Sequence, residues 1–399
     1  MKRRDFLKIA AGASVLAVCP SARSFAASQI PVKENKLTPG SPAKVCLSGI
    51  KKGAEENKIK LAVRSSAEAA TDFSWLCKGD SIFIKPVVNS GNPYPATTSP
   101  IAIAAMVELL REKGAGRVIV GDMSGVQSVR FTSSSLSGSS RKLMESSGMA
   151  KVIQAAGAEL HFFEESGWDS FYEDVPTTRA YWKRPLMMPN ILKEVQHIVL
   201  MPRCARHVLA GSTLGLKAAV GYWRHDTRLE YHRDAATLQE KTAEGNTVET
   251  LRTKQRLVLS AADKILTVFG PDDGFVFEPD NGLVIASQSV LAHDMVSLAW
   301  LLENRNRIPQ SEKCDFRDNS SWFARLGNHA VVNWLSGWRT ALASETLTKN
   351  DLNNIWDDRV IIHACKVFGG VPGIILESAN KEFPENLKTR LGEMTTYLI

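Results

Sequence analysis

The stretch from residue 80 to residue 122 constrains the fold more than any other. Residues 80–89 read Asp-Ser-Ile-Phe-Ile-Lys-Pro-Val-Val-Asn, a near-continuous apolar run of the kind found in strands buried on both faces. Residues 101–113 carry apolar side chains at helical spacing, with Thr98 or Ser99 placed to cap the first turn and Pro100 at the first helical position. Gly114 ends that helix, and Arg117-Val118-Ile119-Val120-Gly121-Asp122 is a second buried strand. Strand, helix and strand in about forty residues predict a parallel pair joined by a right-handed crossover.

The alternation continues. A helix is expected over residues 140–156 and strands over 159–164 and 197–201. A helix follows over 248–260, strands over 264–269 and 282–286, and a helix over 290–302. Helical spacing at residues 62–75 precedes the first strand. The Ser- and Gly-rich residues 124–140 read as a loop over strand ends, and residues 168–193 as an irregular insertion. Beyond residue 304 the pattern is mainly helical, and Trp334 and Trp338 share one face as core packing. The fold class is therefore α/β: a mostly parallel, doubly wound sheet in one or two lobes, with a helical C-terminal portion over 305–399.

The N-terminus is an address. Lys2-Arg3-Arg4-Asp5-Phe6-Leu7-Lys8, a short apolar run, and Ser24-Phe25-Ala26 resemble a twin-arginine signal over residues 1–27, with residues 28–42 a linker. That route exports folded proteins, so a periplasmic location and a cofactor loaded before export are expected, with no transmembrane segment after signal removal. Residues 1–27 hold five basic residues and one acid; without them the formal net charge falls from +7 to +3. Such a balance gives no support to nucleic-acid binding. The five remaining cysteines, Cys46, Cys77, Cys204, Cys314 and Cys365, include no C-x-x-C pair, which argues against a zinc or iron–sulfur site and leaves their disulfide status open.

Chemistry concentrates in residues 197–232, where Arg203, Arg206, His207, Lys217, Arg224, His225 and His232 follow a buried strand. Cationic turns at strand ends suit an anionic ligand. Lys217, in a small and apolar stretch, is an acid/base or nucleophile candidate, or a structural lysine that caps carbonyls. His207 is an acid/base candidate or a satisfied loop histidine. His225 and His232, seven apart, are weak metal candidates, and the charged neighbours of His225 favour a solvated face. Asp122 is a catalytic candidate or a turn cap. Lys85, Asn89, Thr97, Thr98, Ser124, Arg203, Arg206 and Asp294 are the substrate-binding candidates, each with a capping or pairing role as the alternative. Asp272 and Asp273, between Gly270 and Gly274, suit a cation or a tight turn.

Four groups of residues resemble the domain of unknown function 362 family. They are Lys85-Pro86 with Asn89; Thr97-Thr98-Ser99-Pro100 followed by Gly121-Asp122-Met123-Ser124; residues 202–207 followed by Leu216-Lys217 and Gly221; and Gly270-Pro271 through Gly274 with Ala292-His293-Asp294. Ser99, Arg206, Ala218 and Ser289 depart from the family's residues, and the ferredoxin-like cysteine insert of some relatives is absent. The resemblance spans residues 44–304 and implies an α/β domain over 43–304 without fixing an activity. The combined reading is an exported enzyme doing acid/base chemistry on a small anionic, carboxylate-like substrate. The alternative is a periplasmic binding or maturation protein for an anion, metal or cofactor. Its expected partners are that small anion and the twin-arginine export machinery.

Overall fold

A computed structural model describes residues 37–207, 210–233, 237–267, 274–309 and 352–397. The signal expected over residues 1–27, residues 270–273, Cys314, Trp334 and Trp338 lie outside these residues.

Eight strands form the central sheet: β1 (Ala43–Lys51), β2 (Ser81–Lys85), β3 (Arg117–Asp122), β4 (Glu159–Phe162), β5 (His197–Leu200), β6 (Gln255–Ala262), β7 (Asn281–Ser287) and β8 (Ile374–Ser378). Their order is β8-β1-β7-β6-β5-β2-β3-β4. Strand β7 runs antiparallel to both of its neighbours, and the other five pairings are parallel. The mostly parallel α/β class is thus as expected.

Alternate side chains of each strand face opposite layers. Ile82, Ile84, Val118, Val120, Leu257 and Leu259 pack under α1 (Glu56–Ala70) and α2 (Pro100–Glu112). On the other face Val258, Leu283 and Ile285 meet α6 (Val290–Arg305) and α7 (Arg359–Val367), while Phe83, Ile119 and Ile198 meet an aromatic cluster around Tyr222 and Trp223.

The β2–α2–β3 unit forms as its spacing predicts. Pro86, which has no N–H to donate, follows the last residue of β2. The cap of α2 falls to Ser99, whose hydroxyl accepts from the Ala102 amide at 3.3 Å. A four-stranded sheet of short strands (Gly211–Thr213, Ala205–His207, Ile265–Leu266 and Val276–Phe277) grows from the carboxyl ends of β5 and β6.

Several elements differ from expectation. The first helix occupies Glu56–Ala70 in place of 62–75, and Phe73 beyond it takes φ 59°. The helix over 140–156 is two pieces, broken at Gly148 with φ 80°. The helix over 248–260 stops at Lys254 and gives way to β6, because the run Leu257-Val258-Leu259 pairs between β5 and β7. Two short antiparallel pairs, Arg130–Phe131 with Leu136–Ser137 and Phe171–Asp174 with Leu186–Pro189, organise segments read as irregular. The described C-terminal residues are not purely helical: β8 extends the sheet beside β1, and α8 (Glu385–Thr395) packs against α6.

Candidate functional site

Lys85 and Asp122 close the carboxyl ends of the adjacent parallel strands β2 and β3, so the backbone alone brings them together. Lys85 Nζ lies 2.8 Å from Asp122 Oδ1 with both side chains buried, and also donates to the carbonyls of Pro86 (2.7 Å) and Ala218 (3.2 Å). Asp122 accepts from the Met123 amide at Oδ1 and the Val88 amide at Oδ2, each at 2.8 Å. Burial pushes the Lys85 pKa down, Asp122 opposes this, and Arg228 adds to it. Gly221 sits against the pair: a Cβ there would come within 2.3 Å of Lys85 Nζ and 2.4 Å of Asp122 Oδ1. Lys85 and Asp122 together therefore lock the ends of β2 and β3 to the turn at Ala218, with both Asp122 oxygens engaged.

Arg228, passed over in the sequence, belongs to this lock. It lies on α4 (His225–Arg233) and is buried, donating to the carbonyls of Ser124 (2.5 Å), Met123 (2.8 Å), Gly221 (2.5 Å) and Trp223 (2.7 Å). Burial lowers its pKa to about 10 against the pull of Asp122 and Glu164. Ser124 also donates its amide to Ser140 Oγ, and its own buried hydroxyl makes no hydrogen bond among the described residues. Thr98 Oγ1 accepts from the Val87 amide and donates to the Met201 carbonyl at 2.7 Å, fastening the end of β2 to that of β5. Thr97 donates to the Asn92 carbonyl, and the Asn89 carbonyl accepts from Ser128.

Asp294, on α6, accepts from the amides of Gly215 and Leu216, both at 2.7 Å, at the start of α3 (Gly215–Ala218). His293 Nδ1 is 2.8 Å from the same carboxylate and its Nε2 is 3.0 Å from Ser260 Oγ. Asp294 is thereby the anchor that fixes the turn carrying Lys217. Asp294→Ala would orphan two buried amides, and urea denaturation is expected to show a loss of about 3 kcal/mol. An unchanged midpoint would contradict this anchoring.

The second cluster is cationic. His207, at the end of the strand Ala205–His207, has its pKa driven well below the ordinary range by burial first, then by Lys217, Arg203, His232 and Arg206. His232 is pushed to about 3 by burial and then Lys217, with the Arg228 carbonyl opposing. Lys217 Nζ stands 5.3 Å from the centroid of the Tyr231 ring. Arg203 is fully buried and donates to the Ala96 carbonyl, and Arg206, three residues on, is buried as well.

The two imidazoles are neutral in opposite senses. His207 Nδ1 accepts from the Ala210 amide at 3.1 Å, which leaves the proton on Nε2 as a donor. His232 Nδ1 lies 2.7 Å from the Arg228 carbonyl and must donate to it, which leaves Nε2 as an acceptor. His225, expected on a solvated face, is buried at the start of α4. Among the described residues no group of three or more His, Cys, Asp or Glu is placed to hold a metal ion. Cys46, Cys77, Cys204 and Cys365 are free thiols.

The structure thus splits the sequence candidates. Lys85, Asp122 and Ser124 share a buried lock with Arg228, and Thr98 fastens the neighbouring strand ends. Lys217, His207, His232, Arg203 and Arg206 form the cationic cluster. The short helix α3 joins the two, since it carries both the Ala218 carbonyl that receives Lys85 and the Lys217 whose charge acts on His207.

Asp358, from the C-terminal segment, was missed entirely. It caps α7, with Oδ1 accepting from the amides of Val360 (2.8 Å) and Ile361 (3.1 Å). Burial raises its pKa to about 6, with Arg206 opposing and Asp294 reinforcing. Only the Asp before an apolar helix hinted at a cap; its place in the cavity that Lys217 also lines depends on tertiary packing.

A model of the family described as "Domain of unknown function (DUF362)" matches residues 82–299. No curated protein matches the chain. Among solved structures, a structural-genomics protein from Thermotoga maritima is similar at 11% identity, covering 65% of this chain and 61% of its own, with a TM-score of 0.42. The lactate racemase apoprotein from Thermoanaerobacterium thermosaccharolyticum is similar at 13% identity, covering 57% of this chain and 51% of its own, with a TM-score of 0.37. The chain thus spans less than two thirds of the length of either.

Proposed function

Because the chain belongs to the family defined by this domain of unknown function, whose name assigns no activity, we propose its function from the pocket itself: acid/base catalysis on a small, carboxylate-like anion. The observation that carries this reading is the convergence of Lys217, His232, Arg203 and Arg206 on His207, with the two imidazoles neutral and of opposite polarity. Cationic side chains recognise the carboxylate. His232 Nε2 takes a proton from the carbon beside it, the electron pair moves toward the carboxylate oxygens, and His207 Nε2–H hydrogen-bonds the oxygen on which charge develops. Return of the proton from His232 completes the cycle without net gain or loss. Burial depresses His232 first and the Lys217 charge second; a bound anion offsets the second, so the base strengthens when substrate arrives.

The test is solvent exchange. Small carboxylic acids incubated with the protein in D2O are expected to gain deuterium at the carbon beside the carboxylate. His232→Gln should slow this by roughly 10²–10⁴-fold, and Lys217→Ala should weaken binding. Binding without exchange by any acid would make the protein a carrier, and absence of binding would overturn the anion reading.

Export through the twin-arginine route is part of the same proposal. Its support is the pair Arg3-Arg4 ahead of Phe6-Leu7-Lys8. With both arginines changed to lysine, cell fractionation is expected to find the protein retained in the cytoplasm; export unaffected by the change would refute the assignment.

A further inference from the structure

Asp358 lies well beyond the residues that the family model matches, yet it lines the same small cavity as Lys217, Ser212, Asp294 and Ile361. Asp358 is 1% exposed. One oxygen is held by the helix amides of Val360 and Ile361; the other, Oδ2, is buried and makes no hydrogen bond among the described residues. Asp294, the other carboxylate of the cavity, has both oxygens engaged by Gly215 and Leu216. A buried carboxylate oxygen left without a donor costs free energy, so its persistence asks for a partner.

The cavity has room for about one water-sized group. A group that satisfies a carboxylate oxygen in so small a space is a hydroxyl, which donates its O–H to it. We propose that Asp358 is a ligand-contacting, specificity-determining residue, whose Oδ2 accepts a hydrogen bond from a hydroxyl group of the bound anion. This inference rests on the anion reading of the Lys217 pocket and narrows its substrate class to hydroxy-carboxylates. An ordered water is the other source of the same chemistry.

Asp358→Ser keeps a helix-capping oxygen and deletes Oδ2; Asp358→Asn keeps the shape and removes the charge. Calorimetric titration of the full chain would use two pairs of acids that differ by one hydroxyl: glycolate with acetate, and 3-hydroxypropionate with propionate. Wild type is expected to favour at least one hydroxy acid by roughly tenfold or more, since a buried acceptor left unpaired penalises the deoxy analogue. Asp358→Ser should erase that preference, with the affinity for the deoxy acid equal to or above that of wild type, and Asp358→Asn should reduce it. Equal binding of hydroxy and deoxy acids by wild type would assign Oδ2 to water and overturn this inference alone. No binding of any of the four acids would overturn the anion reading and this inference with it. A fall in melting temperature of more than about 5 °C in both variants, which is several times the usual effect of a neutral change, would show that Oδ2 serves the fold and overturn it as well.

Discussion

Lys85→Met is expected to destabilise the protein by about 3–5 kcal/mol, the usual effect of removing one partner of a buried ion pair. The variant leaves Asp122 deprived of the ammonium at 2.8 Å while the amides of Met123 and Val88 still hold it in place. An ionised carboxylate cannot move out to water from that position, because Gly221 covers it. The Ala218 carbonyl also loses its donor, so the damage extends along α3 toward Lys217. The double variant Lys85→Met/Asp122→Asn removes both charges and is expected to recover more than half of the loss, since a neutral amide can still accept from one of the two backbone donors. Denaturant unfolding of the four proteins forms a cycle that measures the coupling. If the double variant is as unstable as the sum of its singles, the pair is not the lock that the geometry describes.

The parts of the fold that were legible in the sequence are those governed by local periodicity. Strand β3 occupies the predicted residues because its apolar run is bounded by Gly114 on one side and a Gly- and Ser-containing loop on the other. Helix α2 begins at the Ser-Pro signal that caps it. The helix wrongly extended over 248–260 failed because Leu257, Val258 and Leu259 are apolar on both faces, and only pairing with β5 and β7 decides in favour of a strand.

The site was half legible for the same reason. Lys85 and Asp122 sit at strand ends, where parallel topology makes convergence almost unavoidable. Arg228, His225 and Asp358 were not legible. A charged stretch reads as solvated until carbonyls from Met123, Ser124, Gly221 and Trp223 are seen to surround the guanidinium. The tautomers of His207 and His232 are equally invisible in sequence, since each is set by one backbone atom, the Ala210 amide in one case and the Arg228 carbonyl in the other.

Those two histidines give the protein an expected weakness to acid. In the unfolded chain a histidine takes up a proton near the ordinary 6.5, whereas the folded protein holds His232 at about 3 and His207 well below its usual range. Between these limits the unfolded state binds more protons, so folding stability falls as the pH is lowered from 6.5, by up to about 1.4 kcal/mol per pH unit for each histidine kept fully neutral. Asp358 works in the opposite direction, because its carboxyl is raised from the ordinary 3.8 to about 6 and folding favours its protonation over that interval. The displacement of His232 is the larger of the two, and His207 adds to it, so the net trend is loss toward acid. His232→Gln isolates the effect: glutamine can still donate to the Arg228 carbonyl but cannot become a cation. The wild-type and variant stabilities, measured by denaturant unfolding from pH 7 to pH 4, are therefore expected to converge or cross as the pH falls, the variant gaining on wild type by about 2–3 kcal/mol. Parallel curves would mean that His232 is protonated in the fold as readily as in water, and would remove the neutral acceptor on which proton abstraction at this pocket depends.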